Sequence, residues 1–350
     1  MRPDYNSDSR SSTEAELEDL TLAQPVIVTG ATGFIGRWLV RRLLAEGCYV
    51  RALVLPGEET RGVWEGPVEV ARADIADAAA VAKAVQHAGT IFHLAALVGD
   101  WGAEAQFQRV AVGGTEHVLS SSGAGHARIV VVSSSVVYGD RIGREVCGED
   151  SGFGRPQGPY SRAKQAQETI AWRIARERRL QVTVVRPANV FGHGSRPWVK
   201  EAAAILQRRL PILIGDGGQN AGLCYVENLV DLLILAAAHP LAPGRTYNAC
   251  DGWDVTWRQY FTDLARLVDA RPPRALPAPL ARGMAGMLET IWRWRGSATR
   301  PLLTREAVNL VGAHHRLPMD RARQELGFAP RVGYAEAMAK LGEQIRRHGW

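Results

Sequence analysis

The chain has 350 residues, 46% of them hydrophobic and 22% charged, with a formal net charge of +6. That length can bury a large core in one domain or two, and that balance is ordinary for a folded globular protein. The surplus positive charge is scattered through helical patterns rather than gathered into a stripe, which argues against a nucleic-acid partner. Residues 1–24 are polar and acidic, unlike a secretory leader, and read as a disordered tail. Beyond the tail, short apolar β-branched runs alternate with helical patterns. Val26–Thr29 reads as a buried strand, Phe34–Glu46 as a helix and Val50–Leu55 as a second strand. Asp77–Ala88 follows as a helix, Thr90–Leu94 as a strand, Val110–Ser122 as a helix and Ala127–Ser133 as a strand. Pro159–Arg178 is a long helix and Gln181–Arg186 a strand. This alternation predicts an α/β fold, a Rossmann doubly wound parallel sheet over residues 25–190. From residue 191 to 350 glycine, proline and aromatic residues rise, which predicts a smaller C-terminal α+β lobe that binds substrate. Within it, Leu223–Ala238 and Thr246–Ala249 are candidates to pack back on the sheet.

No run of about 18 uncharged apolar residues is present, so no spanning helix is expected. Cys48, Cys147, Cys224 and Cys250 form no CxxC pair. Neither a zinc site nor a disulfide framework is expected from them, and the setting reads as reducing and cytoplasmic. His314 and His315 lack the spacing of helical metal ligands, so no metal is expected.

Gly30, Gly33 and Gly36 lie three apart where the first strand meets the first helix. Free backbone N–H groups and the positive end of the helix dipole favour an anion at such a turn. Glycine lets the turn tighten and a dinucleotide pyrophosphate come close. The alternative is a tight turn without a ligand. Tyr160 and Lys164 stand i and i+4 on one face of the long helix, with Pro159 suited to its first turn. A phenol is a poor proton donor or acceptor at neutral pH, and an ammonium beside it is expected to lower its pKa. It could then exchange a proton with a carbonyl or alcohol oxygen while hydride moves at carbon. Only four lysines occur in the chain, so a chance YxxxK is rare. Ser133, Ser134 and Ser135 close the strand before this helix and offer a hydroxyl partner.

With TGATGFIG at Thr29–Gly36, DI at Asp74–Ile75, FHLAA at Phe92–Ala96, VSSSVVYG at Val132–Gly139, YSRAK at Tyr160–Lys164 and RPANVFG at Arg186–Gly192, the chain resembles the extended branch of the short-chain dehydrogenase/reductase superfamily. The likeness runs from about Pro25 to Gly333. It implies Tyr160 as the acid–base group, Lys164 tuning it and holding the nicotinamide ribose, and Ser134 binding the substrate oxygen, with Ser135 as the alternative. It implies NAD or NADP held by Gly30, Thr32, Gly33, Phe34, Ile35 and Gly36, with Tyr160 and Lys164 also touching the cofactor. Asp74 and Ile75 would flank the adenine, Ala95 and Ala96 would line the phosphate path, and Pro187, Asn189 and Val190 would lie against the nicotinamide. Val54 and Leu55 stand where an acid usually selects NAD or an arginine NADP; Arg51, Arg61, Glu58 and Glu59 are near in sequence and leave both cofactors open, with NAD favoured slightly because no arginine occupies the usual 2′-phosphate position. Ala111 replaces the asparagine usual in that family. A homodimer through the Val110 and Pro159 helices is also implied.

The segment Pro277–Val308 carries Met284, Met287, Leu288, Ile291, Trp292 and Trp294 and ends rich in arginine. It reads either as the core of the lobe or as an apolar wall for a lipid-like substrate, able to touch a membrane. Together with LGFAPRV at Leu326–Val332 it is similar to bacterial 3β-hydroxysteroid dehydrogenase-like proteins. The activity implied is hydride transfer between a nicotinamide and a hydrophobic secondary alcohol or ketone, sterol-like or β-keto acyl. A nucleotide-sugar epimerase or dehydratase that retains NAD is the nearest rival, with Arg196, Arg208, Arg209 and Arg258 available for a diphosphate. A non-catalytic nucleotide-binding scaffold is the third reading.

Overall fold

The computed structural model describes residues 21–123 and 127–349. The tail expected over residues 1–24 lies outside the described residues as far as residue 20. Leu22 is buried and the Ala23 carbonyl accepts from Thr90 Oγ1 at 2.9 Å, so the chain just before Pro25 is docked on the sheet.

Seven parallel strands make the central sheet. In chain order they are β1 (Val26–Thr29), β2 (Val50–Val54), β3 (Glu69–Arg72), β4 (Thr90–His93), β5 (Arg128–Val132), β6 (Gln181–Pro187) and β10 (Thr246–Ala249). Their spatial order is β10-β6-β5-β4-β1-β2-β3. Every residue of β1 and β4 is buried, as it must be where helices cover both faces. Thr246–Ala249 does cross back, forming the edge strand beside β6. The opposite edge, β3, is absent from the sequence reading. Its residues Glu69, Val70, Ala71 and Arg72 alternate between half-buried and exposed, so no apolar run marks it.

The helices divide by face. On one side Val26 and Val28 pack with Leu39, Val40 and Leu43 of α1 (Phe34–Ala45) and with Leu229, Leu232 and Leu233 of α7 (Val226–Ala238). On the other side Ile27, Ile129 and Val131 pack with α2 (Ala78–Ala84), α4 (Gly114–Ser121) and α5 (Pro159–Arg178). The expected helix Asp77–Ala88 is shorter than the reading: Asp77 caps it and it stops at Ala84. The expected helix Val110–Ser122 starts earlier, with α3 (Glu104–Gln108) running through a π-helical turn at Arg109–Gly113 into α4. Strand order reverses between β1 and β4, and ligands of open parallel sheets bind in the crevice at such a reversal.

The smaller lobe holds two parallel strand pairs, β7 (Asn189–Phe191) with β9 (Leu223–Tyr225) and β8 (Pro211–Ile214) with β11 (Arg274–Leu276). Around them lie α6 (Ala202–Gln207), α8 (Trp257–Leu267), α9 (Ala278–Trp294), α10 (Arg305–Val311) and α12 (Tyr334–His348), while α11 (Asp320–Leu326) packs on the main core beside β10. An aromatic cluster fills its core, with Trp257 stacked on Phe261 at 5.1 Å and Phe191 and Tyr260 alongside. In α9 only the small residues Ala281 and Ala285, with Glu289, are buried. Leu280, Met287 and Trp294 stand exposed, while Met284, Leu288, Ile291 and Trp292 are half-buried. No helix among the described residues is long and apolar enough to cross a membrane.

Candidate active site

The glycine turn closes β1 onto α1. Gly30 has φ of +65°, which favours glycine, and a Cβ on it would press to 3.0 Å from the Ala95 nitrogen. A Cβ on Gly36 would collide with the Gly30 carbonyl oxygen, so the helix seats against the turn only because that side chain is missing. Gly33 takes the N-cap position of α1, and α1 has neither a side-chain cap nor an acid in its first turn. Its leading N–H groups are thus left to a ligand, and this cradle fits a dinucleotide pyrophosphate.

Of the other residues expected along the cofactor path, Thr32 donates from its hydroxyl to Glu58 Oε1 at 2.7 Å. Glu58 in turn accepts from the Leu55 N–H at 3.1 Å. This acid, four residues past the end of β2, was not among the expected site residues. Phe34 lies against Gly192 and Gly194, and Ile35 packs on the main core. Asp74 accepts from the Ala76 N–H at 2.9 Å and shapes the turn after β3. The Ile75 side chain is buried beneath Gly114, inside the core and not in the crevice. Ala95 and Ala96 follow β4 at the crevice, and the Ala95 N–H donates to Thr29 Oγ1 at 3.0 Å. Pro187 ends β6 opposite Ala249. Asn189 is buried and spends its side chain on the Ala221 carbonyl at 2.7 Å, a structural tie between β7 and the residues leading into β9, while Val190 packs between the two cores.

Ser134, Tyr160 and Lys164 come together at the C-terminal ends of β5 and β6. Ser134 is the extended residue before a 3₁₀ turn over Ser135–Arg141. Its Oγ accepts from the Val136 N–H at 3.3 Å, and its hydroxyl lies near enough to that of Tyr160 to lower the phenol's pKa. Ser133 and Ser135 are both buried. The ring of Tyr160 packs on Phe107, Ala111 and Ala163. Lys164 is 3% exposed; its ammonium lies 5.8 Å from the centre of the Tyr160 ring and donates to the Val132 carbonyl and to Gln167 Oε1, each at 2.8 Å.

The electrostatics differ from expectation. The phenol of Tyr160 is pushed up, not down, because burial outweighs everything else. The Glu306 carboxylate raises it further, and the Ser134 hydroxyl lowers it. Burial brings Lys164 down to about 7, against the carboxylate of Glu168, which raises it. Glu306 on α10 carries no sequence signal that would single it out. It is 2% exposed, and its oxygens have no hydrogen-bond partner of normal geometry. It occupies the space over Gly158 at the start of α5, where a Cβ would collide with Oε2. Burial, followed by the nearby Asp100 carboxylate, raises it to about 8.

Residues 26–250 match the NAD dependent epimerase/dehydratase family. The chain is 28% identical over 333 residues to the 2-alkyl-3-oxoalkanoate reductase of Stenotrophomonas maltophilia, a match covering 90% of this chain and 98% of that one. It is 29% identical over 339 residues to the 3 beta-hydroxysteroid dehydrogenase/Delta 5-->4-isomerase of Mycobacterium tuberculosis, covering 90% and 88%. Among solved structures, MoeE5 in complex with UDP-glucose and NAD is similar with a TM-score of 0.71 and 28% identity, covering 92% of this chain and 98% of that one.

Proposed function

The chain belongs to the NAD dependent epimerase/dehydratase family, and from that premise we propose an NAD(P)-dependent oxidoreductase of the extended short-chain type that acts on a hydrophobic secondary alcohol or ketone. The observation that carries this is the meeting of Ser134, Tyr160 and Lys164 beside a glycine turn built to hold a dinucleotide. The cofactor supplies a hydride acceptor or donor at its pyridine ring. Tyr160 holds the proton that the substrate oxygen gains or loses, Ser134 fixes that oxygen, and Lys164 lies ready to bond ribose hydroxyls. Glu58 at the glycine turn favours NAD, since a carboxylate there repels a 2′-phosphate and can accept from a 2′-hydroxyl.

Two relatives with names denoting a 3-oxoalkanoate reductase and a hydroxysteroid dehydrogenase support a hydrophobic substrate. The likeness to MoeE5 keeps the nucleotide-sugar reading in view. Of the four arginines available for a diphosphate, Arg196 is paired with Glu201 at 2.8 Å and Arg258 bonds the Asp216 carbonyl. A screen by nicotinamide absorbance, with sterols, β-keto acids and UDP- or dTDP-sugars against NAD and NADP, separates them. Net NADH formation or consumption with a sterol or β-keto acid is expected. Sugar conversion with retained NAD and no net change in NADH would replace this reading with the epimerase.

The exposed face of α9 fits the same substrate class. Leu280, Met287 and Trp294 recur every seven residues on one side, with Arg282, Arg293 and Arg295 flanking them. Exposed Leu97 and Val98 belong to the loop before α3, which is joined to the end of α9 by Trp101 Nε1 donating to the Ser297 carbonyl at 3.1 Å. An apolar stripe edged by arginines suits the surface of an anionic membrane. The full chain is expected to sediment with phosphatidylglycerol vesicles more than with phosphatidylcholine vesicles. Met287→Glu combined with Trp294→Glu should cut that binding at least tenfold while leaving the thermal midpoint in place; unchanged binding would refute the contact.

A further inference from the structure

A buried chain of hydrogen bonds runs from β1 to Lys164, and its donors and acceptors are fully determined. Thr29 Oγ1 accepts from the N–H groups of Leu94 at 3.1 Å and Ala95 at 3.0 Å, so its own proton goes to His93 Nδ1 at 2.9 Å. His93 Nε2 therefore carries the ring proton and donates to Thr115 Oγ1 at 2.9 Å. Thr115 donates to the Ala111 carbonyl at 2.6 Å and accepts from Gln167 Nε2 at 3.0 Å. That fixes the Gln167 amide with its oxygen toward Lys164 Nζ at 2.8 Å. Reversing the amide would set an NH₂ group against an ammonium. All five side chains are 3% exposed or less.

We propose that Gln167 is the positioning residue for Lys164, one helical turn further along α5, and that Thr115 locks its amide so that the ammonium stays beside Tyr160. Two of the three Nζ protons are then committed, to Val132 and Gln167, which leaves one for the crevice. The choice of a neutral amide matters. It orients the cation without neutralising it, so the ammonium can release its proton near neutral pH. The charged and titratable groups that face Lys164 are His93 of β4, held neutral by burial and by the lysine itself, and Glu168 of α5, with the phenol of Tyr160 alongside.

This assignment rests on Lys164 belonging to the active site, but its test does not need turnover. The chain has four lysines, Lys83, Lys164, Lys200 and Lys340. Protein labelled with ¹³C at lysine Cε therefore gives four signals, and Lys164→Met identifies the one from position 164. In a pH titration by NMR, that signal is expected to change well below the other three. Gln167→Glu should raise its midpoint by about one unit or more, since it supplies an opposite charge at contact. Thr115→Ala, which frees the amide, should lower the midpoint, while Thr115→Ser should leave it in place. The proposal is overturned if Gln167→Glu leaves the midpoint where it was. If that variant does not fold, equal midpoints in Thr115→Ala and Thr115→Ser overturn it instead. A shifted midpoint in a protein inactive on every alcohol and ketone would leave Gln167 in its role and remove the oxidoreductase reading alone.

Discussion

Tyr160→Phe lowers turnover of the hydrophobic alcohol or ketone by a factor of about 10² to 10⁴, the range spanned by a well-placed general acid or base. The variant removes one oxygen and keeps the ring. The contacts with Phe107, Ala111 and Ala163 survive, as does the ammonium of Lys164 against the ring. What is lost is the interaction of the hydroxyl with Ser134, worth about 1 kcal/mol of stability at most. NAD(P) affinity should change by less than about threefold, because the glycine turn and Lys164 are untouched. Steady-state rates, calorimetric cofactor binding and thermal midpoints measured on one preparation check all three parts. A Tyr160→Phe enzyme that keeps its rate would remove the phenol from the chemistry.

The resting protonation state of the site is set at the same oxygen. Burial and the Glu306 carboxylate both disfavour the phenolate. A phenol kept protonated holds at rest the proton that a carbonyl oxygen would take up, and little of the phenolate that would accept a proton from an alcohol is present. Ionisation of Glu306, centred at about 8, adds a negative charge beside Tyr160 and strengthens that bias as pH rises through this value.

Much of this was legible in the sequence, and the reasons are local. The glycine turn could be read because three bare backbone positions fall where a strand period gives way to a helix period. Tyr160 and Lys164 could be read because i and i+4 share a face whatever surrounds the helix. Edge strand β3 could not, since its half-buried Glu69 and exposed Arg72 carry no apolar signal. Gln167 looks like any polar residue of a helix until Thr115 arrives from α4 to lock it. Glu306 lies 146 positions beyond Tyr160 and meets it only because Gly158 leaves a gap. The expected drop in the phenol's pKa failed for a different reason: pairing a lysine with a tyrosine on paper ignores the cost of burying both.

The largest expected loss of stability comes from Glu168→Ala. Glu168 is fully buried and Arg186 is 5% exposed. The guanidinium holds the carboxylate with Nε at 2.9 Å and Nη2 at 2.6 Å, a two-point contact across α5 and β6. Arg186 Nη1 also donates to Tyr138 Oη at 3.0 Å and to the Glu149 carbonyl at 3.1 Å, and Tyr138 passes the tie to Asn248 of β10 at 2.7 Å. Removing the carboxylate leaves a buried cation without its counter-charge, at a cost of about 3–5 kcal/mol. Replacing both partners, as Glu168→Leu with Arg186→Met, should cost less than the single change, because no charge is then left stranded. Urea titrations are expected to show a lower midpoint in Glu168→Ala with the slope unchanged, and partial recovery in the double variant. The loss also reaches the active site: Glu168 is the group that raises the Lys164 pKa, so its removal should let that lysine titrate below about 7. If the single variant were as stable as the parent, the pair would not be what fastens the helix carrying Tyr160 and Lys164 to the sheet.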